Sequence, residues 1–288
     1  MKLICPICGQ ELNRIEKEYR CENRHSFDIA RQGHVNLLTV QQKKSLHPGD
    51  TREQVLSRRA FLEEGYYAPI AQALCDTARQ LGAQGPVLDI GCGMGQHAKQ
   101  YADMGAKSVL GIDISENMLS HARQHFSAPT ITYQQMALEN IDSLSAQFDL
   151  ITSSLVFDYA EDLPGLMKSV YQLLKDGGHF VFSMSHPMAT AWDGQYDRYT
   201  RTADGTRLHA NINNYMVEGK RTVKWVVQDY ELYHRTFATI INAIVQAGFS
   251  IEHCEESHIS DEMRQLYPAQ FGGTLHRPDF VFFRCKKG

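Results

Sequence analysis

The chain of 288 residues lacks any apolar run approaching the roughly 20 residues that a membrane span requires. Its first residues also lack the apolar segment of a signal peptide, so we expect no secretion signal, no membrane partner and a cytoplasmic location. Seven cysteines are present, and an odd number argues against a disulfide framework. Three of them fall before residue 22, which favours metal binding in a reducing compartment.

The chain also lacks an excess of positive charge. Its net charge of −4 disfavours a nucleic-acid-binding protein if the charges are evenly spread. Residues 1–60, however, carry 11 Lys and Arg against 7 Asp and Glu, whereas residues 61–288 carry 18 against 26. The N-terminal part could therefore face phosphate groups, unless this asymmetry is ordinary scatter.

A metal-ligand pattern stands near the start of the sequence. Cys5 and Cys8 bracket two residues, and after twelve more residues Cys21 and His25 bracket three. This spacing predicts a tetrahedral Zn²⁺ site of the Cys₃His type. Because protein atoms fill all four positions, we expect a structural ion. A module of about 30 residues has too little core to fold alone, so zinc binding would supply its folding energy.

A glycine-rich turn follows a buried strand in the middle of the sequence. Residues 87–95 are Val-Leu-Asp-Ile-Gly-Cys-Gly-Met-Gly, and glycines in such a turn let the backbone approach a nucleotide-like ligand. The third glycine of the dinucleotide fingerprint is absent, because Gln96 stands in its place. An acidic residue, Asp89, lies inside the strand. Both features resemble motif I of class I S-adenosyl-L-methionine (SAM) methyltransferases and not a nicotinamide site.

From residue 86 onward, strand and helix patterns alternate. Such alternation predicts an α/β domain with a mostly parallel sheet, helices on both faces, and ligands at the carboxyl ends of the strands. The last two strands are expected to form an antiparallel closing pair. The predicted strands are 87–90, 108–112, 130–134, 148–154, 179–184, 250–255 and 279–285, and the predicted helices are 96–104, 116–125, 163–174 and 237–247.

These patterns predict three regions. Residues 1–35 form a zinc-binding module, residues 36–82 a connecting helical segment, and residues 83–288 the α/β domain. Residues 186–235 are an insertion after the fifth strand and are rich in aromatic residues and arginine. We expect this insertion to cap the substrate, with aromatic rings stacking a base and arginines meeting phosphate. A closed pocket capped by Trp192 and Trp225 would instead favour a small metabolite. The alternative is that the rings only pack the cap.

Motifs in the first 95 residues resemble those of the zinc-containing large-subunit (23S) rRNA guanine-N1 methyltransferases, the RlmA type. Beyond residue 145, segments 148–155, 174–183, 185–187 and 233–236 resemble class I methyltransferases in general, including ones that act on small molecules. The front motifs are Cys-Pro-x-Cys at 5–8, Cys-x-x-x-His-x-Phe-Asp at 21–28, Gly-x-Val-Asn-Leu-Leu at 33–38, Pro-Gly-Asp at 48–50, Arg-Arg-Ala-Phe-Leu at 58–62, Gly-x-Tyr-x-Pro at 65–69 and Asp-Ile-Gly-Cys-Gly at 89–93.

The resemblance implies a Rossmann-like, seven-stranded fold, SAM and structural zinc as cofactors, and a homodimer. Asp113, 22 residues after Gly91, lies where a carboxylate can accept both ribose hydroxyls of a nucleoside. Ala137 and Leu138 match the segment whose backbone meets adenine. The other expected SAM contacts are Tyr67, Asp89, Gly91, Gly93, Met94, Gly95, Ile114, Met118 and Ser154.

SAM carries an activated methyl group, so the protein mainly has to align the acceptor. If the acceptor is guanine N1, its proton is lost, and a nearby base helps. Asp158 and His186 follow the fourth and fifth strands and are the predicted catalytic residues. The alternative is that their hydrogen bonds only shape the pocket.

Three functions remain open at this point. The first is methylation of guanine N1 in 23S rRNA, guided by the zinc module. The second is methylation of a small metabolite, with the zinc module purely structural. The third is a non-catalytic RNA-binding protein that uses SAM as a structural or sensing ligand. The intact glycine turn and Asp113 disfavour the third.

Overall fold

A computed structural model describes residues 5–29, 68–81, 84–192, 194, 196–223, 230–258, 261–266 and 275–288. Most of the predicted connecting segment lies outside the described residues, as do Tyr67 and Trp225, and the three-region division stays a prediction. The chain divides into two compact units, Met1–Pro48 and Gly49–Gly288. In the parts of the chain that are described, no helix is long and apolar enough to cross a bilayer.

The first unit is built on a small antiparallel sheet. Its strands are β1 (Asn13–Ile15), β2 (Glu18–Arg20) and β3 (Ser26–Asp28), in the order β1-β2-β3. Leu12 is buried with Cys5 and Cys21, and Tyr19 and Phe27 pack beside them. This core holds few large apolar side chains, so burial alone contributes little to its stability.

The second unit alternates strands and helices as its hydrophobic pattern predicts. Two short 3₁₀ helices, Leu138–Ser143 and Phe157–Tyr159, interrupt the connections. In chain order its elements are α1 (Ala68–Gln80), β4 (Pro86–Ile90), α2 (Gln96–Asp103), β5 (Ser108–Asp113), α3 (Glu116–His125), β6 (Ile131–Gln135), β7 (Phe148–Ser154), α4 (Leu163–Leu173), β8 (Leu174–Ser185), α5 (Pro187–Thr190), β9 (Tyr199–Arg201), β10 (Arg207–Ala210), β11 (Gly219–Val223), β12 (Tyr230–His234), α6 (Phe237–Gln246), β13 (Phe249–Glu256), α7 (Asp261–Leu266) and β14 (Phe280–Lys287).

The main sheet of the described residues has seven strands in the order β13-β14-β8-β7-β4-β5-β6. The run from β8 to β6 is parallel, and β14 is antiparallel to both of its neighbours. The first strand of this sheet, β4, therefore lies in its middle. The chain adds β5 and β6 on one side of β4 and then crosses to add β7 and β8 on the other, so the switch point lies between β4 and β7. Ligands bind at such a switch point, outside the carboxyl ends of the strands. The predicted fold class is confirmed.

An aromatic stack anchors the centre of this sheet. Phe180 and Phe182 stack with ring centroids 4.5 Å apart, Phe157 lies 5.4 Å from Phe182, and Phe283 lies 5.1 Å from it. All four are fully buried. Offset and tilted ring pairs of this kind stabilise a core beyond the area they bury. Phe157 directly precedes Asp158 after β7, and Phe180 and Phe182 lie in β8, which His186 follows.

One predicted boundary is wrong. The predicted fifth strand begins at residue 179, after the turn-forming residues Asp-Gly-Gly at 176–178, but β8 already begins at Leu174. Gly177 adopts a φ of +75°, and the pairing register with β7 shifts between Phe148 and Leu150. A bulge of this kind lets the strand continue through residues that favour a turn. The two glycines at 177–178 therefore mark an irregularity inside β8 and not its start.

The insertion after β8 contains two hairpins, β9–β10 and β11–β12. His234 joins the second hairpin to α5, because its Nδ1 lies 2.7 Å from Thr190 Oγ1 and its Nε2 lies 2.9 Å from the Tyr215 carbonyl oxygen. The Tyr215 hydroxyl accepts a hydrogen bond from the Phe237 N–H at 2.9 Å. These buried and partly buried hydrogen bonds tie the second hairpin to α5 and to the start of α6.

Candidate cofactor site, catalytic residues and metal centre

The glycine turn begins directly after β4. Gly91, Gly93 and Gly95 have φ values of +69°, +53° and +87°, and the N–H groups of Gly91 and Cys92 both donate to the Ile112 carbonyl oxygen. A Cβ at Gly91 would lie 2.3 Å from Val156 Cγ2, so no side chain fits there. A Cβ at Gly93 would meet no atom within 4 Å. The backbone at Gly93 is therefore open to a ligand.

Asp113 holds this turn from the end of β5. Its Oδ2 accepts a hydrogen bond from the Gly93 N–H at 2.9 Å, and its Oδ1 accepts one from the Ser115 N–H at 2.8 Å. Each carboxylate oxygen can accept more than one hydrogen bond. The same carboxylate can therefore hold the turn in place and accept hydroxyl groups of a bound nucleoside.

Asp89 is a buried acid two residues before the turn. Its Oδ1 accepts a hydrogen bond from Thr152 Oγ1 at 3.1 Å, whereas its Oδ2 is buried without a hydrogen-bond partner among the described atoms. Burial raises the pKa of Asp89 to about 7; the Thr152 hydrogen bond opposes this shift, and the charge of Asp113 adds to it. An unsatisfied buried carboxylate oxygen fits a ligand that brings a positive charge, such as the ammonium of SAM.

Apolar groups complete the surroundings of the turn. Met94 and Met118 are buried against each other. Ile114, next to Asp113, is 45% exposed and offers an apolar surface that a purine ring could cover. Ala137 directly precedes the first 3₁₀ helix, which starts at Leu138.

At the end of β7, Ser154 Oγ lies 3.4 Å from Ser183 Oγ. The expected contacts that are described all belong to the ends of β4 to β7 or to the segments that follow them. Their individual roles in binding SAM stay predictions.

Asp158 lies in the short 3₁₀ helix after β7 and is 4% exposed. Its Oδ2 accepts a hydrogen bond from the Ser185 N–H at 2.9 Å, which ties it to the end of β8. Burial raises the pKa of Asp158 to about 6, although the Ser185 hydrogen bonds and the Arg235 charge oppose the shift. The Arg235 guanidinium donates to the carbonyl oxygens of Ala160 and Glu161. Asp158 is thus a carboxylate that can accept a proton near neutral pH.

His186 follows β8 and has partners at both ring nitrogens. Its Nδ1 accepts a hydrogen bond from the Met188 N–H at 3.1 Å, and its Nε2 lies 2.9 Å from Glu256 Oε1. An accepting Nδ1 places the imidazole proton on Nε2, which donates to Glu256. Burial lowers the pKa of His186, and the Glu256 carboxylate opposes this shift. In this arrangement His186 caps α5 and connects it to β13.

Two residues that support these groups have no signal in the sequence. Thr152 bonds to Asp89 from a neighbouring strand, and Glu256 bonds to His186 across 70 residues of sequence. Both contacts depend on strand order and register, which spacing along the chain does not reveal.

The predicted zinc ligands come together in the first unit. The donor atoms of Cys5, Cys8, Cys21 and His25 all lie within 4.8 Å of one another. Cys8 Sγ lies 3.6 Å from Cys21 Sγ, and His25 Nδ1 lies 3.4 Å from Cys21 Sγ. Ligands around a tetrahedral zinc ion are separated by roughly 3.5–3.8 Å, given metal–ligand bonds of about 2.0–2.3 Å. The four donors therefore fit one closed, structural Zn²⁺.

The strand order, the glycine turn and the acids at the ends of β4 and β5 define the class I SAM-methyltransferase fold. A family model described as a methyltransferase domain matches residues 88–182, and one described as the RlmA N-terminal zinc ribbon matches residues 3–46. A solved SAM-dependent methyltransferase from Mesorhizobium loti is 34% identical with a TM-score of 0.65, covering 77% of this chain and 97% of that one. The chain belongs to the SAM-dependent methyltransferases, and it uses SAM and structural zinc.

Further relatives differ in how much of the chain they share. A solved structure from Listeria monocytogenes is 32% identical with a TM-score of 0.65, over 76% of this chain and 98% of that one. A Haemophilus influenzae protein is 35% identical over 208 residues, which is 70% of this chain and 80% of that protein. The Streptomyces fradiae 23S rRNA (guanine(748)-N(1))-methyltransferase is 45% identical over 98 residues, 33% of this chain and 34% of that enzyme. The Idiomarina loihiensis ubiquinone biosynthesis O-methyltransferase is 35% identical over 109 residues, 37% of this chain and 44% of that enzyme.

Proposed function

We propose that this enzyme methylates N1 of a guanine in large-subunit rRNA. The observation that carries the proposal is the zinc module, whose sequence matches the RlmA N-terminal family and whose four donors converge. The local identity of 45% to a 23S rRNA guanine-N1 methyltransferase supports it. The chain spans a third of that enzyme's length, so the base and the RNA are part of the proposal.

We propose Asp158 as the group that accepts the proton from guanine N1. When bound, SAM supplies a methyl group that is already activated on its sulfonium. The protein then has to orient the base and remove the N1 proton. Asp158 suits the second task because burial and the Ser185 N–H hold one carboxylate oxygen in place at the carboxyl end of the sheet. We assign His186 a positioning role, since both of its ring nitrogens are engaged.

The experiment compares two acceptor pools in parallel. Labelled SAM and the full chain are incubated with an unmodified 23S rRNA transcript, and separately with a nucleic-acid-free metabolite extract. The proposal expects label in the RNA, and expects Asp158→Asn to slow its incorporation by about a hundredfold or more while SAM still binds. Label confined to the metabolite extract would contradict the proposal.

The second candidate function is methylation of a small molecule. It is favoured by the local identity of 35% to a ubiquinone biosynthesis O-methyltransferase. Within this function the zinc module would be structural only. The two-pool experiment separates the two functions directly, because each one predicts label in a different fraction.

A further inference from the structure

Arginine side chains gather around two aromatic rings in the insertion after β8. Arg207, Arg277 and Arg201 place their guanidinium carbons 4.7, 5.7 and 5.9 Å from the ring centroid of Tyr199. Arg198 lies over the Trp192 ring at 4.4 Å, and the Trp192 Nε1–H donates to the Tyr196 carbonyl oxygen at 2.7 Å. We call this group the arginine cluster: Arg198, Arg201, Arg207 and Arg277.

Arg198 and Arg277 form the inner part of this cluster. Arg277 is 7% exposed and pairs with Asp279 at 2.7 Å, whereas Arg198 forms no salt bridge with any residue in the described segments. Burial lowers the pKa of Arg198, and the charge of Arg277 lowers it further. The two guanidinium groups, which lie over the neighbouring Trp192 and Tyr199 rings, therefore repel each other in partly buried positions, and the Asp279 carboxylate acts on both. An anion that binds here relieves that repulsion.

The cluster adjoins the proposed catalytic residues. The Asp279 carbonyl oxygen accepts a hydrogen bond from the His186 N–H at 2.9 Å, so Arg277 lies two residues from a direct contact with the end of β8. On the other side, Tyr230 interacts electrostatically with Arg198, and its ring centroid lies 6.0 Å from that of Tyr159. Tyr159 is the neighbour of Asp158 in sequence. The arginines are therefore placed beside the carboxyl end of the sheet, where the acceptor must bind.

We propose that Arg198 and Arg277 bind a phosphate group of the methyl acceptor, next to the base that is methylated. Guanidinium groups match the geometry of phosphate oxygens with paired hydrogen bonds. The half-buried Trp192 beside Arg198 offers a ring on which a neighbouring base can stack. The inference rests on the proposed function, because it takes the acceptor to be an RNA strand.

The first test measures how salt weakens binding of an unmodified 23S rRNA transcript. Each lost phosphate contact lowers the slope of log K against log salt by about 0.7 in a single-stranded segment. Arg198→Gln is expected to lower the slope by that amount and to raise the KM for RNA about tenfold, with kcat within about twofold of wild type. Arg198→Lys keeps the charge but loses the paired hydrogen bonds. Its KM for RNA should lie between those of wild type and Arg198→Gln. The matched control is Arg79→Gln, which removes an exposed arginine on α1.

The second test does not require RNA to be the substrate. The chain has two tryptophans, so Trp225→Phe leaves Trp192 as the single fluorescent indole. Pyrophosphate is expected to change the Trp192 emission saturably and to raise the melting temperature, and Arg198→Gln should abolish both effects. If wild type binds no RNA but responds to pyrophosphate, the rRNA proposal fails and the anion site stands. An unchanged salt slope together with an unchanged pyrophosphate response in Arg198→Gln would overturn the inference.

Discussion

At the scale of single residues, two buried carboxylates, Asp89 and Asp158, are the acidic groups to which we assign roles at this site. Burial raises the pKa of Asp89 to about 7 and that of Asp158 to about 6. In both cases the folded state holds a proton more tightly than the unfolded chain does. Their contribution to the free energy of unfolding is therefore present below about pH 4 and is lost as pH rises to 6–7. At neutral pH the protein is therefore less stable, but the ionised carboxylates can then pair with a cationic ligand or accept a proton.

Asp89 predicts a pH dependence of SAM affinity. The ionised carboxylate can pair with the ligand ammonium through its unsatisfied Oδ2, whereas the protonated acid cannot. We expect the dissociation constant measured by calorimetry to rise by about tenfold for each pH unit below 7. Asp89→Asn should bind weakly at every pH and show no such slope. Equal SAM affinity at pH 5.5 and 7.5 in wild type would rule out this role.

Asp158 predicts a pH dependence of the rate. Asp158→Asn removes the proton acceptor and should lower kcat by 10²–10⁴-fold, a range typical of general-base removal, with SAM affinity unchanged. The wild-type rate should rise with pH through about 6, the pKa of Asp158. Asp176→Asn, on an exposed carboxylate, serves as the control. A variant that keeps wild-type kcat would return Asp158 to a structural role.

The glycine turn makes a paired prediction at the scale of elements. Gly91→Ala adds a Cβ 2.3 Å from Val156 Cγ2, so the variant should unfold at a clearly lower temperature. Gly93→Ala adds a Cβ in open space. Its free energy of unfolding should fall only by the roughly 1–2 kcal/mol that a left-handed backbone costs a residue with a side chain. Its methyl group points to where we expect the ligand, so its SAM affinity should fall while it stays folded. Thermal melts and calorimetry on both variants check this, and intact SAM affinity in Gly93→Ala would contradict it.

Removal of zinc is the second prediction for an element. The sheet of the first unit has a small core, so the four metal bonds must supply most of its folding energy. A chelator, or Cys8→Ser, should make residues 5–29 sensitive to protease while the methyltransferase unit keeps its melting transition. Protection of residues 5–29 without bound metal would show that the module folds on its own.

The sequence predicted elements better than it predicted contacts between them. Helix α3 has the predicted bounds, 116–125, because Ser115 caps it and its apolar residues recur at helical spacing. The glycines at 177–178 led to a wrong strand boundary, since a glycine with positive φ, as at Gly177, suits an irregularity within a strand as well as a turn. Glu256 and Arg277 could not be found, because only the pairing of β13, β14 and β8 brings them near His186.

At the scale of the whole molecule, two segments that match different family models share one chain. The first matches the RlmA zinc ribbon, and the second matches methyltransferases with diverse substrates. Two features fit a polyanionic acceptor. They are the excess of Lys and Arg in residues 1–60 and the arginine cluster. Residues 61–288 carry an excess of Asp and Glu, so the protein as a whole does not offer a general nucleic-acid-binding surface. We therefore expect binding to RNA to be local and specific.

The most direct measurement is the nucleoside content of treated RNA. An unmodified 23S rRNA transcript is incubated with SAM and the zinc-loaded chain, digested to nucleosides and analysed by mass spectrometry. The account predicts 1-methylguanosine at one site per transcript, formed at least about a hundredfold more slowly with Asp158→Asn. A methyl group on another base, or RNA that stays unmethylated while the protein binds SAM, would contradict it.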